Sequence, residues 1–369
     1  MATIYPRLIL DALATVRYPG KEGNIVSLGM VADDIRIDGN KVTLSIVATR
    51  QRDPFINSVV KAAEAAILAH VGNDVEIKGN IAVKYPDGVP AQEKPRPLAE
   101  VKNIIGVSSG KGGVGKSTIA SNLAVALAGM GYKVGLLDAD IFGPSQPKML
   151  GVEDEQLYVE PGENGKNLIV PVEKYGVKML SIGFVIDKEK AVLWRGAMAS
   201  NALKQLIEDG KWGALDYFII DMPPGTSDIH LTLVQTLAIT GALVVTTPQQ
   251  VALADARKGV SMFLGEQVNV PVLGIIENMS WFTPAAHPDE KYYIFGRDGG
   301  KDLAERLNVE LLGQIPLVAS ICRGGDDGVP VILQNKVSGA AFTQLAERVV
   351  KAVDYRNEHL PPTTPVKIH

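Results

Sequence analysis

The chain has 369 residues, about twice a typical domain, so one large or two unequal domains are expected. Its 37 Lys and Arg against 41 Asp and Glu leave a net charge of −4, which argues against a protein held on nucleic acid or anionic lipid by bulk charge. With 46% apolar residues the composition is globular, and a single cysteine, Cys322, excludes an internal disulfide framework and an all-thiolate metal site within one subunit.

No secretory signal is expected at the start, because acidic and glycine residues interrupt the early apolar positions. No run of 18 apolar residues occurs, so no membrane span is expected and the cytoplasm is the expected compartment. Residues 1–84 read as a small α+β domain. Asp34–Ile37 and Lys41–Ile46 alternate with period two about an Asp38-Gly39-Asn40 turn. Asp53-Pro54 suits a helix cap plus first-turn proline, with the helix running to Val71 and stopped by Gly72. Asp74–Val83 reads as a last strand.

From Tyr85 to Glu100 the prolines Pro86, Pro90, Pro95 and Pro97 sit among charges, and a stiff exposed linker is predicted. Beyond it, residues 101–355 alternate strand and helix. The apolar runs 104–107, 134–137, 217–220, 242–246 and 272–276 lack polar alternation, as strands buried on both faces of a parallel sheet do. Helical stretches fall at 116–130, 197–209, 229–239, 251–264, 300–307 and 338–353. Residues 356–369 form a tail rather than an amphipathic membrane helix. The predicted fold is α/β, a doubly wound, mostly parallel sheet of seven or eight strands behind the small N-terminal domain.

Gly110-Lys111-Gly112-Gly113-Val114-Gly115-Lys116-Ser117-Thr118 fits G-x-x-x-x-G-K-[ST] after a strand and before a helix. The glycines let successive N–H groups turn onto a phosphate, and the helix N-terminus adds positive potential. Lys116 is expected to neutralise the β- and γ-phosphates and Ser117 to ligate Mg²⁺. Two further strands end in acids, where open α/β sheets place ligands. These are Asp138 with Asp140, which equally suit loop caps, and Asp221, the placement of a Walker-B carboxylate on Mg²⁺. Gly225 is placed to report the γ-phosphate. A GTPase would want N-K-x-D near a late strand. Asn335-Lys336-Val337-Ser338 lacks the aspartate, so ATP is favoured.

Lys111 inside the loop marks the deviant P-loop ATPases resembling MinD, ParA and the nitrogenase iron protein. That resemblance implies a lysine reaching across a nucleotide-sandwich homodimer, Asp140 orienting the attacking water, Asp138 near the phosphate–Mg²⁺ region, and Asn278 on adenine. The deviant P-loop, the DADIFGPS and IIDMPPGTSD segments, Val192-Leu193-Trp194-Arg195-Gly196, TTPQ and ENMSWF together resemble the Mrp/ApbC-type iron–sulfur cluster carrier ATPases. Trp194-Arg195-Gly196 is implied near the nucleotide or dimer face. The N-terminal unit is similar to the MIP18-like domain, through Asn24–Val31. This implies a slow, Mg²⁺-dependent ATP hydrolase acting with iron–sulfur assembly or client proteins, and with neither nucleic acid nor membrane.

One departure matters. Carriers of that type hold a bridging 4Fe–4S cluster on a C-x-x-C pair, and Trp281–Gly296 contains no cysteine. Thr49–Pro54 also lacks the N-terminal domain's usual cysteine. Cys322, outside that segment, is expected to be a small buried residue, and His287 and Asp289 a surface pair. The chain is therefore expected to lack its own cluster ligands. A MinD/ParA-like positioning ATPase is the alternative, and a small-molecule kinase a third reading.

Overall fold

The computed structural model describes residues 4–49, 53, 55–72, 74–85, 96–162, 166–185, 196–266, 268–284, 286–287, 289–334 and 336–366. The expectations for Pro86, Pro90, Pro95, Val192–Arg195, Arg50–Arg52, Pro54, Ala285, Pro288 and Asn335 lie outside these residues. The chain divides into two compact units, Met1–Pro95 and Arg96–His369.

The first unit contains α1 (Pro6–Leu13), β1 (Arg36–Asp38), β2 (Lys41–Val47), α2 (Ile56–Val71) and β3 (Ile81–Lys84). Strands β1 and β2 pair antiparallel and β2 and β3 parallel, in the order β1-β2-β3. Ile9 and Leu13 of α1, Val59, Ala63 and Ile67 of α2 and Leu44 and Ile46 of β2 share one core. Two expectations need correction. Asp53 does not cap α2, whose N-cap is Phe55. Its carboxylate instead accepts hydrogen bonds from Tyr18 Oη at 2.7 Å and Thr49 Oγ1 at 3.0 Å, a long-range knot that outweighs the cap. The expected strand 74–83 is broken: Glu76 makes an isolated bridge to Lys41, a turn follows at Gly79, where φ is +77°, and the continuous strand begins only at Ile81.

The second unit runs β4 (Val101–Ser109), α3 (Lys116–Gly129), β5 (Val134–Asp138), α4 (Gln146–Met149), β6 (Tyr158–Pro161), β7 (Asn167–Val170), β8 (Val172–Lys174), β9 (Val177–Ser181), α5 (Gly196–Glu208), β10 (Leu215–Asp221), α6 (Asp228–Thr236), β11 (Gly241–Thr246), α7 (Gln250–Leu264), β12 (Val272–Phe282), α8 (Gly299–Leu307), β13 (Leu311–Leu317), α9 (Ala319–Asp326), α10 (Val331–Gln334) and α11 (Lys336–His359). Eight strands order as β13-β12-β11-β4-β10-β5-β9-β8. All pairs are parallel except β8 with β9. Two apolar cores, around Leu123, Leu136 and Phe342 and around Leu203, Phe218 and Phe263, cover the two faces. That double burial is why the strands read as unbroken apolar runs. Strand β4 lies between β10 and β11, so the chain reverses direction across the sheet there, the switch point where open sheets bind ligands. Among the described residues no helix is long and apolar enough to cross a membrane.

Candidate functional site

The glycine-rich turn leaves β4 at this switch point. Gly110 packs so closely on α7 that a Cβ there would lie 2.1 Å from the Asp255 carbonyl carbon. Gly115 caps α3 with φ at +86°, the left-handed region a side chain resists. The loop between them, Lys111 to Val114, includes a second left-handed glycine, Gly113 with φ at +82°, and leads directly into the N-terminus of α3.

Lys116, the first residue of α3, is 6% exposed. Its Nζ lies 2.5 Å from Asp221 Oδ1, 3.2 Å from Ser117 Oγ and 3.7 Å from Asp140 Oδ2. Asp221 ends β10 and Asp138 ends the adjacent β5, both fully buried. Asp138 accepts hydrogen bonds from Ser181 Oγ (2.9 Å) and the N–H groups of Gln146 and Asp140 (3.2 Å each). Burial first, then the Asp221 charge, push its carboxyl well above the usual carboxylate range. Burial also raises Asp140, opposed by Lys116. Two carboxylates, Asp221 and Asp140, thus flank one buried ammonium, with the Asp138 carboxyl on the neighbouring strand end, and hard oxygen donors of this kind suit Mg²⁺ together with phosphate oxygens and water. Ser117 and Asp221 are the residues that fit the ion, with Asp138 beside them.

Every P-loop residue and all three acids converge on this edge of the sheet. Lys111 is half-buried, and its ammonium has no acidic partner among the described residues. Asn278, late in β12, donates from Nδ2 to the Val114 carbonyl at 2.8 Å, which ties that strand to the phosphate loop. Gly225 donates its N–H to the Ser109 carbonyl at 2.8 Å. Gly196 opens α5.

The sequence reading missed three residues. Gln146, fully buried at the start of α4, donates from Nε2 to Asp221 Oδ2 (2.8 Å) and the Ser117 carbonyl (3.0 Å). Ser181 ends β9, a strand too short to stand out as an apolar run. His230, buried in the first turn of α6, accepts from the Ser227 N–H at Nδ1 (3.1 Å), so the proton sits on Nε2, which has no partner among the described residues. A polar residue in the first turn of the helix that follows a strand-ending acid, eight residues after Asp138 for Gln146 and nine after Asp221 for His230, is the signal that would find both.

Burial, helped by the Lys116 charge, lowers the His230 pKa to about 4. A base depressed on folding gives stability that is present above its unfolded value of about 6.5 and lost as pH falls toward 4. Stability should therefore drop by up to about 1.4 kcal/mol per pH unit in that window. Urea titrations of the parent and His230→Gln should show a shallower slope in the variant; equal slopes would refute this.

Cys322 is a correction. It is exposed on α9, its Sγ 3.7 Å from Asp326 Oδ2, and not buried as expected. Ile321 and Gly324 take the inner face of that helix, which turns the intervening Cys322 toward solvent. The exposed His287 lies 3.6 Å from Glu290, and among the described residues no group of three His, Cys, Asp or Glu side chains is placed to hold a metal ion. Phe282 and Tyr292 exchange backbone hydrogen bonds at 2.8 Å, and Lys291 covers the Trp281 ring at 3.9 Å.

The family model of the NUBPL iron-transfer P-loop NTPases matches residues 100–352, and that of the iron–sulfur cluster assembly proteins matches residues 7–78. The chain is 43% identical over 348 residues to the iron–sulfur cluster carrier protein of Synechocystis sp., covering 94% of this chain and 97% of that one. Among solved structures it is similar to a nucleotide-binding protein of Archaeoglobus fulgidus in complex with ADP. That match has 35% identity and a TM-score of 0.56, and covers 65% of this chain and 91% of that chain. A septum site-determining MinD of Pyrococcus horikoshii complexed with Mg-ADP matches at 26% identity and a TM-score of 0.50, covering 70% and 99%.

Proposed function

The chain belongs to the NUBPL iron-transfer P-loop NTPase family, and we propose that it is a slow, Mg²⁺-dependent ATPase whose nucleotide switches a homodimer in iron–sulfur cluster assembly or transfer. The observation that carries this reading is Lys116, a buried ammonium paired with Asp221 and Asp140 at the end of the glycine loop, with Asp138 on the adjacent strand end. ATP would draw the ammonium onto its β- and γ-phosphates, while N–H groups from Gly110 to Thr118 receive the phosphate oxygens. Ser117 and Asp221 would hold Mg²⁺ with Asp138 behind them; the ion neutralises charge developing on the phosphates. Asp140, less buried than the other two, would orient the attacking water. Asn278 keeps Oδ1 to accept from an adenine amino group, since Nδ2 is engaged.

Lys111 gains a phosphate partner across a dimer interface. Support for such an interface comes from Phe142 (65% exposed), Met198, Leu231 and Val251 (63% exposed), large apolar side chains on the segments that leave this edge of the sheet. The relative's name supports a place in cluster handling, and the thiol count asks that ligands come from a client, an assembly partner or a small thiol.

The test is turnover and mass together. The parent should hydrolyse ATP only with Mg²⁺. Asp140→Ala should bind ATP yet lose turnover at least about 100-fold, because water positioning acts only in the reaction. With ATP that variant should sediment as a dimer, and Lys111→Ala in the same background should weaken the dimer. Parent-rate hydrolysis by Asp140→Ala, or one mass with and without ATP, would defeat the assignment.

A further inference from the structure

Asp221 has both carboxylate oxygens engaged. Lys116 Nζ is on Oδ1 at 2.5 Å, and the Gln146 side-chain amide is on Oδ2 at 2.8 Å. The same amide nitrogen donates to the Ser117 carbonyl at 3.0 Å, and the Gln146 backbone N–H reaches Asp138 Oδ2. Both side-chain partners are acceptors, so the amide can present only its nitrogen to them, which fixes which way round it sits. One residue therefore touches the P-loop helix, the acid of β10 and the acid of β5. Its remaining polar atom, Oε1, is buried without a hydrogen-bond partner among the described residues.

Resting on the ATP–Mg²⁺ reading above, we propose that Gln146 is the positioning residue of the magnesium site. A phosphate that takes the Lys116 ammonium frees Asp221 Oδ1 and leaves Oδ2 in the grip of Gln146. Asp221 then presents one oxygen, in a fixed direction, to the ion or its water. A carboxylate free at both oxygens would rotate about its terminal torsion, which is broad and roughly two-fold. The bond to the Ser117 carbonyl sets the two metal-binding residues at a fixed spacing. Buried acceptors normally find a donor, and Oε1 is left as the acceptor for a water of the ion's shell. Gln146 acts through Asp221 and Ser117 and is not itself a catalytic residue.

Groups that orient metal ligands typically change metal affinity by about 10–100-fold when removed. Mn²⁺ is a suitable probe, its binding read by electron paramagnetic resonance in the presence of a non-hydrolysable ATP analogue. Gln146→Met keeps the length and removes the amide; Gln146→Glu keeps the shape and sets an acceptor against Asp221. Both should lose about 10-fold or more in Mn²⁺ affinity. Analogue affinity in chelator should stay within about three-fold of the parent, since Lys116 and the loop are untouched. A role in packing alone would predict the opposite, a lower unfolding temperature with unchanged Mn²⁺ affinity. Mn²⁺ affinity within three-fold of the parent in both variants would overturn the proposal. So would failure of both to fold. A parent that binds neither analogue nor Mn²⁺ would instead remove the ATP–Mg²⁺ reading on which it rests.

Discussion

Lys116→Ala is expected to abolish tight ATP binding, lowering affinity by about 100-fold or more. A buried charge-assisted contact contributes roughly 1.5–3 kcal/mol, and about 1.4 kcal/mol is tenfold in affinity, so one ammonium shared by two phosphates accounts for that loss. The same change should also lower stability. Lys116 is the cation beside Asp221 and Asp140, and removing one partner of a buried pair typically costs about 3–5 kcal/mol, because a charge is left uncompensated. The two effects separate in a double variant. Adding Asp221→Asn to Lys116→Ala removes the stranded charge, so the thermal midpoint should recover while ATP binding, measured by calorimetry, should not. A folded Lys116→Ala that binds ATP within about three-fold of the parent would show that the lysine serves only the ion pair.

The phosphate loop was legible because its chemistry is local: nine consecutive residues dictate both the turn and the charge, with a strand before and a helix after. The central strands were legible for a different reason. Ile104, Ile105 and Val107 of β4, like Phe218, Ile219 and Ile220 of β10, face apolar layers on both sides, so no polar residue interrupts them. What the sequence concealed depends on contacts between distant segments. Ser181 meets Asp138 only because β9 lies beside β5, and β9 is five residues long, while the Gln146 side chain meets Asp221 from 75 positions away in sequence. The antiparallel edge strand β8, Val172–Lys174, is three residues with two charges and carries almost no pattern. Asp53 had the local look of a helix cap, but Tyr18 lies 35 positions away in sequence and claims it. In α9, Cys322 was judged by residue type alone, whereas the helix turns Ile321 and Gly324 inward and leaves the thiol between them exposed.

The exposed Cys322 sharpens the expectation for the cluster. After anaerobic reconstitution with iron and sulfide, then desalting, the isolated protein should retain far less than one 4Fe–4S cluster per dimer. Such a cluster is held by about four thiolates. With one cysteine per chain a homodimer supplies two, and carboxylate or imidazole replacements are harder ligands that suit an iron–sulfide core less well. The position of the thiol weakens the case for it further. Cys322 lies on α9, after β13 at the far edge of the sheet from β8, and its neighbour is the Asp326 carboxylate, a hard oxygen rather than a second soft sulfur ligand. Cys322→Ser should accordingly leave iron content, ATP turnover and folding close to the parent. Cluster delivery to a client should require an added thiol or a partner that brings ligands, and should respond to ATP through the dimer rather than through Cys322. About four irons retained per dimer with broad visible absorption, both lost in Cys322→Ser, would establish that this one thiol anchors a cluster and would overturn the borrowed-ligand reading.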